Sequence, residues 1–195
     1  MYRGFLITKN PIKYNGILYS GVETDPFPLE IGDLTKTVGE QCATELMRKL
    51  NNWNEPVVLL NTSEAKEYYK ACTKMRMSVR LLYVDAHPHE GELDPMNDII
   101  NKFNLKWLGY DVAECSSDFY SAIPTDIILR PHIVEMSFAQ RLNKHGLFSN
   151  ITDAEQFLKA REKSKLYAED MTFECDECQI ISVYTANPNS LAFET

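Results

Sequence analysis

Two hydrophobic periods alternate along the chain. Apolar, β-branched and aromatic residues run together or alternate at 2–8, 57–60, 78–84, 107–112 and 179–185, lengths that predict strands. Between them apolar residues recur at three- and four-residue spacing, which predicts helices. One begins near Thr37 with Ala43, Leu46, Met47 and Leu50 facing in, another at Asn61 with Tyr68, Tyr69, Cys72 and Met75. Further helices are expected from Pro95 through Ile99, Ile100 and Phe103, from Pro131 through Val134, Phe138 and Leu142, and from Thr152 with Ala154, Phe157 and Leu158.

Polar punctuation sharpens these boundaries. Thr37 with Glu40, Asn61 with Glu64 and Thr152 with Glu155 each read as a capping box, where two side chains satisfy two orphan backbone N–H groups. Gly39 would then sit in the first turn of its helix at a small cost. His145-Gly146-Leu147 reads as a helix ending in which glycine takes the left-handed position. Asn10-Pro11 and Asn15-Gly16 predict turns that fold 2–8 against 16–20 as a hairpin. Asp25-Pro26-Phe27-Pro28 predicts a stiff connector. The strand at 57–60 is a short continuous apolar run of the kind buried on both faces.

The expected architecture is therefore α+β or α/β: a mixed sheet with flanking helices, and strand–helix–strand units that suggest a parallel core in the N-terminal half. At 195 residues the chain reads as one domain, 1–195, with an internal boundary or hinge at 85–95. No apolar run approaches the roughly 20 residues that span a bilayer, and no signal peptide is evident. Five cysteines without a framework spacing predict reduced thiols in a cytoplasm.

Charge changes the picture more than composition does. Residues 81–129 carry net −7 and 166–195 net −6, against +2 for 1–80 and +3 for 130–165. Phosphate binding needs clustered Lys and Arg, so this layout argues against a nucleic-acid binder. It suits a protein that meets a basic partner, and it equally suits a simply soluble one. The stretch between Lys106 and Arg130 holds Asp111, Glu114, Asp118 and Asp126, interleaved with Tyr110, Phe119 and Tyr120. Aromatic anchors ringed by steering charges are a common interface composition. Asp111, Glu114, Asp118, Tyr120, Glu174, Asp176 and Glu177 are accordingly the candidate partner-binding residues, with the carboxylates and Tyr120 expected to be exposed.

Catalytic signatures are missing: no nucleophile elbow, P-loop, dinucleotide fingerprint or zincin motif occurs. Asp85, His87, His89 and Glu90 could ligate a transition metal, which keeps a metal-dependent hydrolase as the alternative, although Pro88 separates the two imidazoles. Cys175 and Cys178 lack a second ligand pair for structural zinc, and Glu174, Asp176 and Glu177 around them disfavour a thiolate. His132 and His145 read as helix-end residues. No metal or cofactor is expected.

Residues 107–148 resemble small bacterial immunity proteins encoded beside polymorphic or contact-dependent toxins. Leu108-Gly109-Tyr110-Asp111-Val112-Ala113, then Ser121-Ala122-Ile123, then Leu142-Asn143-Lys144-His145-Gly146-Leu147-Phe148 carry the likeness. The chain departs at Ala122, where the family pattern has Gly, and at Pro124-Thr125-Asp126, where it has an Asn-Cys-Gly type of turn. The resemblance implies a non-enzymatic protein that binds and blocks a cognate toxin domain, often a basic nuclease. A regulatory or structural protein with another partner is the remaining reading.

Overall fold

The computed structural model describes residues 3–14, 16–21, 35–36, 39–41, 44, 61–74, 79–86, 96–115, 119–129, 133, 136–165 and 178–187. In chain order these form β1 (Arg3–Lys9), β2 (Ile12–Tyr14), β3 (Ile17–Tyr19), α1 (Thr62–Lys74), β4 (Val79–Ala86) and α2 (Met96–Phe103). Then come β5 (Lys106–Cys115), β6 (Phe119–Ser121), α3 (Ala122–Leu129), a 3-10 turn (Phe138–Arg141), α4 (Ile151–Lys165) and β7 (Cys178–Thr185). The fold is α+β, with one five-stranded sheet in the order β1-β4-β7-β5-β6 and a separate β2-β3 hairpin.

Every described pairing is antiparallel, which corrects the expected parallel core. β4 takes β1 on one side and β7, about a hundred residues downstream, on the other. The predicted strand 57–60 and the connector 25–28 lie outside the described residues. The hairpin is also re-paired. Ile12↔Tyr19 and Tyr14↔Ile17 form its ladder, with Gly16 in the turn at φ +84, while β1 leaves to join β4. Strands from both sides of 87–95 share the one sheet.

Strand alternation divides the core between the two faces of this sheet. On β4, Leu82, Val84 and Ala86 join Phe138, Leu147, Phe148 and Phe157 beneath α4 and the 3-10 turn. Leu81 and Tyr83 turn the other way, toward Phe5, Phe103 and the α1 residues Ala65, Tyr68 and Cys72. Edge-to-face rings fill both layers: Phe138 lies 5.3 Å from Phe157, and Phe5 lies 5.2 Å from Phe103.

Local chemistry sets the helix ends. At α1 the Asn61 side chain accepts from the Glu64 N–H at 3.0 Å, and Glu64 accepts from the Asn61 N–H at 3.0 Å, the reciprocal cap expected from sequence. At α4 the cap is Asn150 rather than Thr152. The Asp153 N–H donates to Asn150 Oδ1 at 2.9 Å, and Asn150 Nδ2 donates to Asp153 at 2.7 Å. Ala154 and Phe157 are buried as expected. Gly39, at φ +88, donates to the Thr35 carbonyl at 3.0 Å and closes a helical turn; Glu40, Gln41 and Thr44 beyond it are helical, and Thr37 itself lies outside the described residues.

The continuous helix expected from Pro131 to Leu142 does not form. Ser137 is left-handed at φ 57, a 3-10 turn succeeds it, and Leu142 pairs with Phe148 across a tight loop. Gly146 is left-handed, at φ +67, but as a loop residue rather than a helix terminator. Within this stretch Ile133 is helical; upstream of it α3 begins directly after β6 with Ser121 as its cap.

Candidate partner-binding surface

β5 organises the region that sequence singled out. A register shift between Trp107 and Gly109 bulges the strand at Leu108 and re-aims the residues beyond it. Gly109 takes φ +150, and a Cβ there would lie 2.7 Å from Leu147 Cβ and 2.9 Å from Asn143 Nδ2. The loop 142–148 seats in that space. Asn143 Nδ2 donates to the Leu108 carbonyl at 2.8 Å, and Tyr110 and Phe148 exchange backbone hydrogen bonds at 2.9 and 3.0 Å. The same loop grips β3: the Ser20 N–H donates to the His145 carbonyl at 2.7 Å, and a Cβ on Gly146 would meet the Leu18 carbonyl at 2.5 Å.

The third segment joins through Ser121. Its hydroxyl donates to Asp111 Oδ1 at 2.5 Å, and its oxygen accepts from the Ile123 N–H at 3.3 Å, capping α3. A Cβ on Gly21 would stand 2.5 Å from Asp111 Oδ2, so the chain after β3 is packed against the same carboxylate. Residues 108–113, 121–123 and 142–148 thus form one interlocked junction.

This geometry redistributes the candidate acids. Asp111 is fully buried, not exposed, because its carboxylate is the acceptor that ties β5 to β6. Asp126 is buried as well, held 2.8 Å from Arg161 Nε of α4. Neither presents charge to a partner. Glu114 occupies a different position: on β5 it pairs with Tyr120 of β6 on one side and Cys178 of β7 on the other. The two acidic stretches of the chain therefore reach the same end of the sheet. Asp118 directly precedes β6 and Glu177 directly precedes β7; Asp118, Glu174, Asp176 and Glu177 themselves lie outside the described residues. Cys178 is half-buried against the core, and Cys175 is outside the described residues.

The alternative metal centre loses a ligand. Asp85 is a buried β4 residue, not the start of a loop, and both its oxygens accept from Arg3, at 2.9 and 3.2 Å. His87, His89 and Glu90 lie outside the described residues. Among the described residues no three His, Cys, Asp or Glu side chains gather as a ligand set. His145 is a loop residue whose imidazole is held below its ordinary range by burial first, then by Lys144 and Arg80.

Sequence reasoning missed α3 and the junction. Ser121 ahead of a helix with Pro124 in its first turn was the available signal for α3. The junction carried none, because its contacts are 35 residues apart in the case of Asn143 and Leu108. Among the described residues no helix is long and apolar enough to cross a membrane. No family model, curated protein or solved structure matches this chain.

Proposed function

We propose that this chain is a cytoplasmic, non-enzymatic binding protein that neutralises a basic toxin domain through an acidic surface at the β6-β5-β7 end of its sheet. The observation that supports this reading is the pairing of Glu114 with both Tyr120 and Cys178. It brings the ends of the net −7 and net −6 stretches to adjacent strands, although they are distant in sequence. Carboxylates gathered there would steer a basic surface into contact, and Tyr120 would serve as an anchor at the same end. The interlocked junction of 108–113, 121–123 and 142–148 holds β5, the strand that carries Glu114, to the 142–148 loop and to the start of α3.

The likeness of 107–148 to immunity proteins supplies the partner class in this reading. Its three segments meet around Asp111 and Gly109, so their side chains shape the scaffold, and the contact surface falls to Glu114, Asp118, Tyr120, Glu174, Asp176 and Glu177. Co-expression tests the reading. Growth arrest caused by the protein encoded in the adjacent reading frame should be relieved by this chain and not by an Asp118→Lys, Glu177→Lys variant. An adjacent product that is harmless, or relief by the variant equal to that of the parent, would refute it.

A further inference from the structure

The described surface also carries a feature of opposite sign. Where the β2-β3 hairpin meets the segment after the 3-10 turn, an open groove of about 490 Å³ runs between Lys13, Ile17 and Leu18 on one wall and Leu142, Asn143 and Lys144 on the other. Among the described residues no acidic side chain lines it. Both lysines and Leu18 are exposed, and Ile17 and Leu142 are half-buried, so the lining combines aliphatic side chains with two basic ones. The walls come from the two net-positive stretches of the chain, 1–80 and 130–165.

Its walls are fixed rather than loose. The Ser20 N–H to His145 carbonyl bond and the close approach of Gly146 to Leu18 lock hairpin to loop. Asn143 is held at both ends, donating to the Leu108 carbonyl at 2.8 Å and accepting from the His145 N–H at 2.8 Å. A preformed groove loses little entropy on accepting a flexible segment.

We propose that this groove is a docking site for a short acidic peptide segment of a partner protein, one that carries an apolar side chain between carboxylates. Charge complementarity selects the occupant. The lysines attract carboxylates, while Ile17, Leu18 and Leu142 favour an apolar side chain and so discriminate against a bare anion. The site is separate from the acidic surface and does not depend on it.

Fluorescence anisotropy with a fluorescein-labelled Glu-Leu-Asp-Glu-Leu-Glu peptide, at low and at physiological salt, tests this directly. Saturable binding is expected, weakened by salt and reduced about tenfold or more by Lys13→Gln with Lys144→Gln. Amide chemical-shift changes should centre on Ile17, Leu18 and Leu142. The Asp118→Lys, Glu177→Lys protein should bind this peptide as the parent does, which separates the groove from the toxin-binding function. Absence of saturable binding, equal binding by the double-glutamine protein, shift changes mapping elsewhere, or full competition by inorganic phosphate at matched ionic strength would each overturn the proposal.

Discussion

The Ser121 hydroxyl donates to the buried Asp111 carboxylate at 2.5 Å, and that one bond links β5, β6 and the start of α3. A buried carboxylate is tolerable only when its acceptors are used. Asp111→Ala would leave the Ser121 hydroxyl without this acceptor and open space beside Gly21. A loss of about 1–3 kcal/mol is expected, read as a lower urea midpoint at unchanged slope. An unaltered midpoint would return Asp111 to the exposed set.

Gly146 controls how the hairpin seats. Its φ of +67 and the 2.5 Å approach to the Leu18 carbonyl leave no room for a side chain. Gly146→Ala should cost about 1–2 kcal/mol for the backbone alone, with the clash added. Amide exchange at Ser20, which donates to His145 at 2.7 Å, should accelerate more than exchange within β4.

The Asp126–Arg161 pair ties α3 to α4 in a dry setting, with side-chain exposures of 2% and 6%. Removing the carboxylate takes a buried charged hydrogen bond from Arg161, so Asp126→Ala should destabilise by about 1–3 kcal/mol. Replacing both, as Asp126→Leu with Arg161→Met, should recover much of that loss. Thermal melts of the single and double variants decide the point.

Alkaline pH should unfold the protein sooner than its surface charge suggests. Burial pushes the Cys72 thiol from 9.0 up to about 11, with the Tyr68 hydrogen bond opposing that shift. Burial also pushes the Tyr83 phenol from 10.0 up to about 12 against the pull of Arg3, and raises Tyr68 as well. The native state keeps protons that the unfolded chain releases. Stability from these groups is therefore complete below about pH 9 and is lost as pH rises through 11 and 12. Melting temperature against pH should bend down above 9, and Cys72 should resist alkylation until urea is added.

The legibility of each element in the sequence depends on the distance over which its contacts act. Asn61 and Glu64 cap each other three residues apart, so that helix start was legible. The strand cores of β1, β4, β5 and β7 were legible from composition, since apolar runs must be buried somewhere. Their pairing was not, because the choice of β1 and β7 by β4 is made between residues scores apart. At 131–142 the helical period is real in Val134, Phe138 and Leu142, but Ser137 turns left-handed and Phe138 packs on Phe157 instead of continuing a helix. At α4 two caps overlap, and Asn150 wins over Thr152 because the Asp153 N–H bonds to it. The acids at 111 and 126 looked like surface charge because Ser121 and Arg161, which bury them, could not be foreseen. Glu114 gained its meaning only from the register.

The most direct test of the proposed acidic surface is calorimetric titration against the purified product of the adjacent reading frame, the toxin domain that the proposed function requires, at low and at physiological salt. The parent protein should bind with an affinity that falls as salt rises. Asp118→Lys with Glu177→Lys should weaken binding at least about tenfold and flatten the salt dependence, with the melting temperature nearly unchanged. If the variant binds as tightly as the parent with the same salt slope, the acidic ends of β6 and β7 are not the binding surface, and the proposed function is wrong at its centre.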